Sequence, residues 1–159
     1  MDSAALNTAT KDEILEPQDW TFPVPIAYGP GRLTEIGSKA AALGIRNALI
    51  VTDRGSRDLP FIAETAAHLA TAGVKSGVFS EISPNPRNDE IGAGKAAFLA
   101  GEHDAIIAIG GGSAMDGGKM IGLVARNDFD LWDFEWESPM PEISAAQAFP
   151  TLITVPTTA

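Results

Sequence analysis

The chain has no cysteine. That excludes disulfides, zinc-thiolate centres, iron–sulfur clusters and thiol nucleophiles together. It also fits a reducing compartment, so the cytoplasm is the expected location. Positive charge is scarce: 11 Lys+Arg stand against 21 Asp+Glu, a formal net charge of −10. An anionic surface attracts neither nucleic acid nor an anionic membrane, and neither is an expected partner. Net charge does not count backbone N–H groups, which can still build a local anion site. No apolar run is long enough to span a bilayer. The opening residues, MDSAALNTATKDEILEPQDW, contain no apolar stretch of signal-peptide length, so no export signal is expected.

What is present fits one α/β domain. The 159 residues suffice for a core of their own. Residues 1–20 have weak periodicity and read as a flexible arm, with the domain proper spanning 21–159. A short strand is expected from Phe22 to Tyr28, ending at the turn Gly29-Pro30-Gly31. Leu33, Ile36, Ala40 and Leu43 then recur at helical spacing, and Gly44 supplies a stop. Ala48–Thr52 is a continuous apolar and β-branched run, as a strand covered on both faces requires. A second helix follows from Leu59, Ile62, Ala66 and Leu69, then a strand over Val74–Phe79. Pro84-Asn85-Pro86 interrupts the chain before a helix over Asn88–Ala100. Asp104–Ile109 is a further buried-strand run, followed by Gly110-Gly111-Gly112 and a helix from Ser113 to about Arg126. Residues 127–148, with Trp132 and Trp136, read as a long connection, and Leu152–Val155 as a last strand. Strands alternating with helices predict a doubly wound, mostly parallel Rossmann-like sheet. The chain stops just past a strand, so truncation is expected.

The segment with most chemical content is the strand to Ile109, the triple glycine, and Ser113-Ala114-Met115-Asp116-Gly117-Gly118-Lys119. A strand-to-helix turn at the carboxyl edge of a parallel sheet is where open α/β folds bind ligands. Glycine lets the backbone approach a ligand closely, and the free N–H groups of a helix start favour an anion. Phosphate or pyrophosphate is the natural guest; the alternative is a tight turn that needs glycine only for helix–strand packing. The spacing is not the dinucleotide fingerprint, because Met115 holds the third glycine position, and not a Walker A loop, because Met120 follows Lys119. Ser113 and Asp116 resemble a capping box, and capping is the preferred reading for Asp116, since a carboxylate would repel a phosphate. Lys119 either reaches back toward the phosphates or is a solvated surface lysine. Gly117-Gly118 within a helix costs roughly 1 kcal/mol each against alanine, which close packing on a neighbour or ligand would explain.

Gly110-Gly111-Gly112-Ser113-x-x-Asp116-x-x-Lys119 resembles the signature of the iron-containing (group III) alcohol dehydrogenases. Tyr28-Gly29-Pro30-Gly31, Leu49–Asp53, Pro84-Asn85-Pro86 and Pro156-Thr157-Thr158-Ala159 resemble further motifs of that family in order and spacing. The resemblance implies a dehydroquinate synthase-like N-terminal domain and NAD(P)-dependent interconversion of alcohols with aldehydes or ketones. Gly111, Gly112 and Ser113 would then hold the pyrophosphate, with Gly110 shaping the turn and Asp116 counted among the cofactor-binding residues. Asn85, Thr157 and Thr158 would contact the ribose and pyrophosphate region. Asp53 would face the adenosine ribose and favour NAD over NADP; its plain alternative is a turn or cap residue after a strand. The family's Fe2+ or Zn2+ is held by an Asp and three His in a downstream all-helical domain. None of that set falls in this chain, which the resemblance therefore predicts to be cut before the metal domain and inactive alone. His68 and His103 match no ligand position and read as polar surface residues. Gly117-Gly118 also departs from the family's more usual Thr-Ala. A small alcohol or carbonyl compound is the expected substrate, and a homo-oligomer is possible. Two other readings remain: a glycerol dehydrogenase or sugar-phosphate cyclase relative, and a non-catalytic nucleotide-binding module.

Overall fold

The two continuous apolar runs become the two central strands of a four-stranded parallel sheet. The computed structural model describes residues 16–21, 24–143 and 149–158. In chain order the main elements are β1 (Gln18–Trp20), β2 (Ile26–Tyr28), α1 (Ile36–Ala42), β3 (Asn47–Asp53), α2 (Pro60–Thr71), β4 (Lys75–Ile82), α3 (Asn88–Ala100), β5 (Ala105–Gly110), α4 (Gly112–Val124) and β6 (Thr151–Pro156). The sheet order is β4-β3-β5-β6, all pairs parallel, as the α/β reading requires.

Alternate residues of β3 and β5 serve opposite layers. Ala48, Ile50, Ala105, Ile107 and Ile109 pack under α1 and α2 with Ile36, Ile62 and Leu69. Leu49, Val51 and Ile106 pack under α3 and α4 with Ile91, Phe98, Ile121 and Val124. Each of the central aliphatic side chains is at most 2% exposed, and burial on that scale stabilises by roughly 1.5–3 kcal/mol apiece. The helix pair Gly117-Gly118 belongs to this packing. A Cβ on Gly118 would collide with Ala108 and one on Gly117 would lie 2.8 Å from Ile82. The close approach is to the sheet itself.

Several boundaries differ from expectation. Residues 18–20, read as the end of an arm, pair antiparallel with β2. The expected strand over 22–28 is only Ile26–Tyr28, and Phe22 and Pro23 lie outside the described residues. The first helix opens as a 3-10 turn, Arg32–Glu35, and Leu43 is 59% exposed because it follows the last helical turn. Leu59 is likewise exposed, at the N-cap of a helix that starts on Pro60. β4 runs on to Ile82, which is fully buried beneath α4. The long connection holds a 3-10 turn, Leu131–Phe134, capped by Asp130. His103 is half-buried, not a surface group: its Nδ1 lies 3.1 Å from Asn47 Oδ1, and burial pushes its pKa down.

Candidate cofactor site

Strand order places the site. The chain leaves β3 for β4 on one side, then crosses back over β3 to reach β5 on the other. The crevice beyond the carboxyl ends of β3 and β5 is therefore the topological switch point, where open α/β sheets take ligands. Asp53 ends β3 and Gly110 ends β5.

The structure brings most of the expected residues together here. Gly110 has φ +145°, a conformation that side chains resist, and a Cβ there would lie 2.7 Å from Ala114 Cβ and 3.0 Å from Asp53 Oδ2. Thr157 donates its N–H to the Gly110 carbonyl at 2.9 Å. Thr158 lies beside Gly111, its side chain 3.7 Å from where a Cβ would stand. A Cβ on Gly112 would meet nothing within 4 Å, so the first turn of α4 is open. Asn85 sits in the loop after β4, on the same edge but one strand further out. It adopts a left-handed φ of 59° between its two prolines. Asp53 also makes a turn: its carboxylate accepts from Ser56 N at 3.0 Å and Ser56 Oγ at 2.9 Å.

The capping reading of Ser113 and Asp116 is corrected. Gly111 is the N-cap, with no side-chain cap, so Ser113 already lies inside the helix. Asp116 is one turn too far along to cap anything. It is exposed and pairs with Lys119 at 3.4 Å. The start of α4 thus keeps its N–H groups without a capping side chain and has no acid in its first turn, the arrangement that favours a bound anion.

Two residues here, Thr52 and Glu90, were not singled out from sequence, and a third, Arg54, is legible there only as the cation that follows Asp53 and softens its repulsion of a phosphate. Thr52 is fully buried and its hydroxyl has no partner among the described residues; it lies 3.5 Å from the Cβ position of Gly110. A β-branched residue in a strand run gives no such warning. Glu90 gives no warning either. Glu90 is buried at the start of α3 and accepts from Ser83 N, Ser83 Oγ and Arg87 N at 3.2, 3.0 and 3.2 Å. Burial opposes its ionisation, but those donors and the charge of Arg87 outweigh it and hold the carboxyl below its ordinary pKa. Arg54 pairs with it at 3.1 Å.

The residues at the crevice fit a dinucleotide: open N–H groups for the pyrophosphate, a carboxylate at a strand end for ribose hydroxyls, and an orphaned hydroxyl between them. They do not fit a metal, since among the described residues no group of three His, Asp or Glu could hold one. A surface cleft lined by Asn88, Ile91, Lys95 and Leu131 lies away from the crevice, and its lysine donates to the Asn127 carbonyl at 2.7 Å. No helix among the described residues is long and apolar enough to cross a membrane.

The family model of the iron-containing alcohol dehydrogenases matches residues 23–159. A 1,3-propanediol dehydrogenase of Klebsiella pneumoniae is 32% identical over 133 residues, 80% of this chain and 34% of that protein. The crystal structure of a 1,3-propanediol oxidoreductase superposes with a TM-score of 0.72 at 32% identity, covering 82% of this chain and 33% of the other. A sulfoacetaldehyde reductase from Bifidobacterium kashiwanohense, solved in complex with NAD+, superposes with a TM-score of 0.66 at 30% identity, over 82% and 33% of the two chains. The chain spans about a third of the length of these relatives. With a match over most of its own residues and a parallel sheet that superposes on solved members, this chain belongs to the iron-containing alcohol dehydrogenase family.

Proposed function

We propose that the chain is the NAD(H)-binding part of an alcohol dehydrogenase that interconverts a small alcohol with its aldehyde or ketone. The observation that carries this reading is the uncapped, glycine-lined start of α4 at the switch point. Gly111, Gly112 and Ser113 would hold the pyrophosphate through backbone N–H groups and the helix dipole. Gly110 lets β5 turn there, and Thr157 and Thr158 fix the turn from the next strand. Asp53 would accept from the ribose hydroxyls and disfavour a 2′-phosphate. Asn85 would approach the cofactor from the β4 side. Asp116, which pairs with Lys119, is left out of the contact set. The bound nicotinamide would supply the hydride acceptor or donor. This chain's own residues would bind and orient it. The reading places the protein in a reducing cytoplasm, with a small alcohol or carbonyl compound as partner.

Titration of NAD+ into the parent and Gly112→Val tests the reading. A Cβ at this position meets no atom within 4 Å beyond its own helix and chain neighbours, so the variant should keep the parent's melting temperature. It should lose cofactor affinity by about 100-fold through a clash at the pyrophosphate seat. Equal affinity in the two proteins would refute this placement.

A further inference from the structure

We propose that Glu90 sets cofactor choice by holding the Arg54 guanidinium on the β4 side of the sheet, away from the ribose position beside Asp53. The inference rests on the NAD reading above. Arg54 directly follows Asp53, and on sequence alone its charge stands ready to neutralise a 2′-phosphate. The two side chains diverge in the fold. Asp53 lies against Gly110 of β5. Arg54 is drawn toward β4 and α3: its N–H donates to the Ile82 carbonyl at 3.0 Å, its Nη2 lies 3.1 Å from Glu90 Oε1, and its Nε lies 3.4 Å from Glu81 Oε2.

Glu90 is the fixed member of this group. Its side chain is 3% exposed, against 47% for Arg54. Its Oε2 is pinned by the three donors of Ser83 and Arg87. Its Oε1 makes no hydrogen bond of good geometry among the described residues and lies 3.1 Å from Arg54 and 3.3 Å from Arg87. Swinging Arg54 out to a phosphate would leave that buried oxygen with one cation instead of two, a cost that grows in a poorly solvated site. Arg57, further along the same loop, is engaged in a similar way by Glu81 at 3.9 Å and Asp58 at 4.0 Å. A 2′-phosphate entering beside Asp53 therefore meets a carboxylate and finds the nearby guanidinium already engaged. Glu90 touches no cofactor here and acts through Arg54; it is a positioning residue.

The test is equilibrium titration of NAD+ and of NADP+ into the parent chain, Glu90→Gln, Arg54→Gln and the double variant, with melting curves to confirm folding. Glu90→Gln keeps an acceptor for Ser83 and Arg87 but removes the buried charge that holds Arg54, leaving it only the exposed Glu81. It should raise NADP+ affinity relative to NAD+ by a factor of about five to ten. Arg54→Gln and the double variant should stay within about twofold of the parent ratio. An unchanged ratio in folded Glu90→Gln, or an equal rise in the double variant, overturns the proposal. If Glu90→Gln does not fold, Arg54→Gln decides: a fall in NADP+ affinity relative to NAD+ would mean that Arg54 already serves the phosphate, and would overturn it. Binding of neither nucleotide by the parent refutes the underlying NAD reading, an outcome distinct from an unchanged ratio.

Discussion

The helices α3 and α4 start on the same edge of the sheet and are each 13 residues long, yet their first turns are built in opposite ways. α3 brings its own anions. Asp89 and Glu90 lie in its first turn, and Glu90 reaches back to the Arg87 N–H that precedes the helix. α4 has glycine at its N-cap and first position, no capping side chain and no acid in its first turn. A protein that left both ends bare would have two equivalent anion seats. With carboxylates at one of these two ends and none at the other, a phosphate would be favoured at α4 over α3 on the reading proposed above. The sealed end has a second use, because its buried carboxylate also engages Arg54 from the strand between them.

The largest expected effect comes from forcing α4 off the sheet. Gly118→Val would drive a branched side chain into Ala108, although helix propensity alone favours almost any residue over glycine. The expected loss is about 3 kcal/mol of stability, read by urea denaturation, because overpacking outweighs propensity. A stabilised variant would mean that the helix seating is looser than described, and the open end with it.

A smaller effect, with two opposite signs, comes from making α4 resemble α3. Ser113→Glu adds an acid to the first turn and should stabilise the fold by about 0.5 kcal/mol through the helix dipole. The same charge should weaken NAD+ binding by about tenfold. Melting curves and cofactor titration on one sample check both signs. Parallel changes would erase the distinction between the two helix ends.

The smallest effect is acid sensitivity. Hydrogen bonds from Arg32 hold the Glu35 pKa near 2, well below its usual 4.5. The Arg87 side chain lowers Asp89. For Glu90, burial works against ionisation, but the Ser83 and Arg87 donors prevail. A carboxylate whose pKa is lower folded than unfolded adds stability above its unfolded pKa and loses it as pH falls through the folded value. The melting temperature should therefore drop by a few degrees as pH falls from about 4.5 toward 2, with Glu90→Gln flattening the slope. A slope unaltered by Glu90→Gln would remove the ionic seal from α3.

The sequence made the central strands readable because an uninterrupted apolar run has no other place in a soluble α/β domain than between two helical layers. Ala48–Thr52 and Ala105–Ile109 lie there, buried throughout. The triple glycine was readable for a similar reason, since few other contexts need three glycines after a buried strand. The start of α4 was misread because Ser113 and Asp116 imitate a cap, whereas Gly110, with its positive φ, turns the chain early enough for Gly111 to be the N-cap. The hairpin at residues 18–20 is too short for periodicity to register. The pairing of Arg54, just after β3, with Glu90, in the first turn of α3, can be read only once the strand order is known.

On the reading proposed above, the bare end of α4, and not the sealed end of α3, would receive the pyrophosphate. Backbone-amide NMR during an NAD+ titration compares the two ends in one experiment. Saturable shifts are expected at Gly111, Gly112, Ser113 and Thr158, with Asn88, Asp89 and Glu90 unmoved. Shifts centred on the first turn of α3, or none at the first turn of α4, would contradict it.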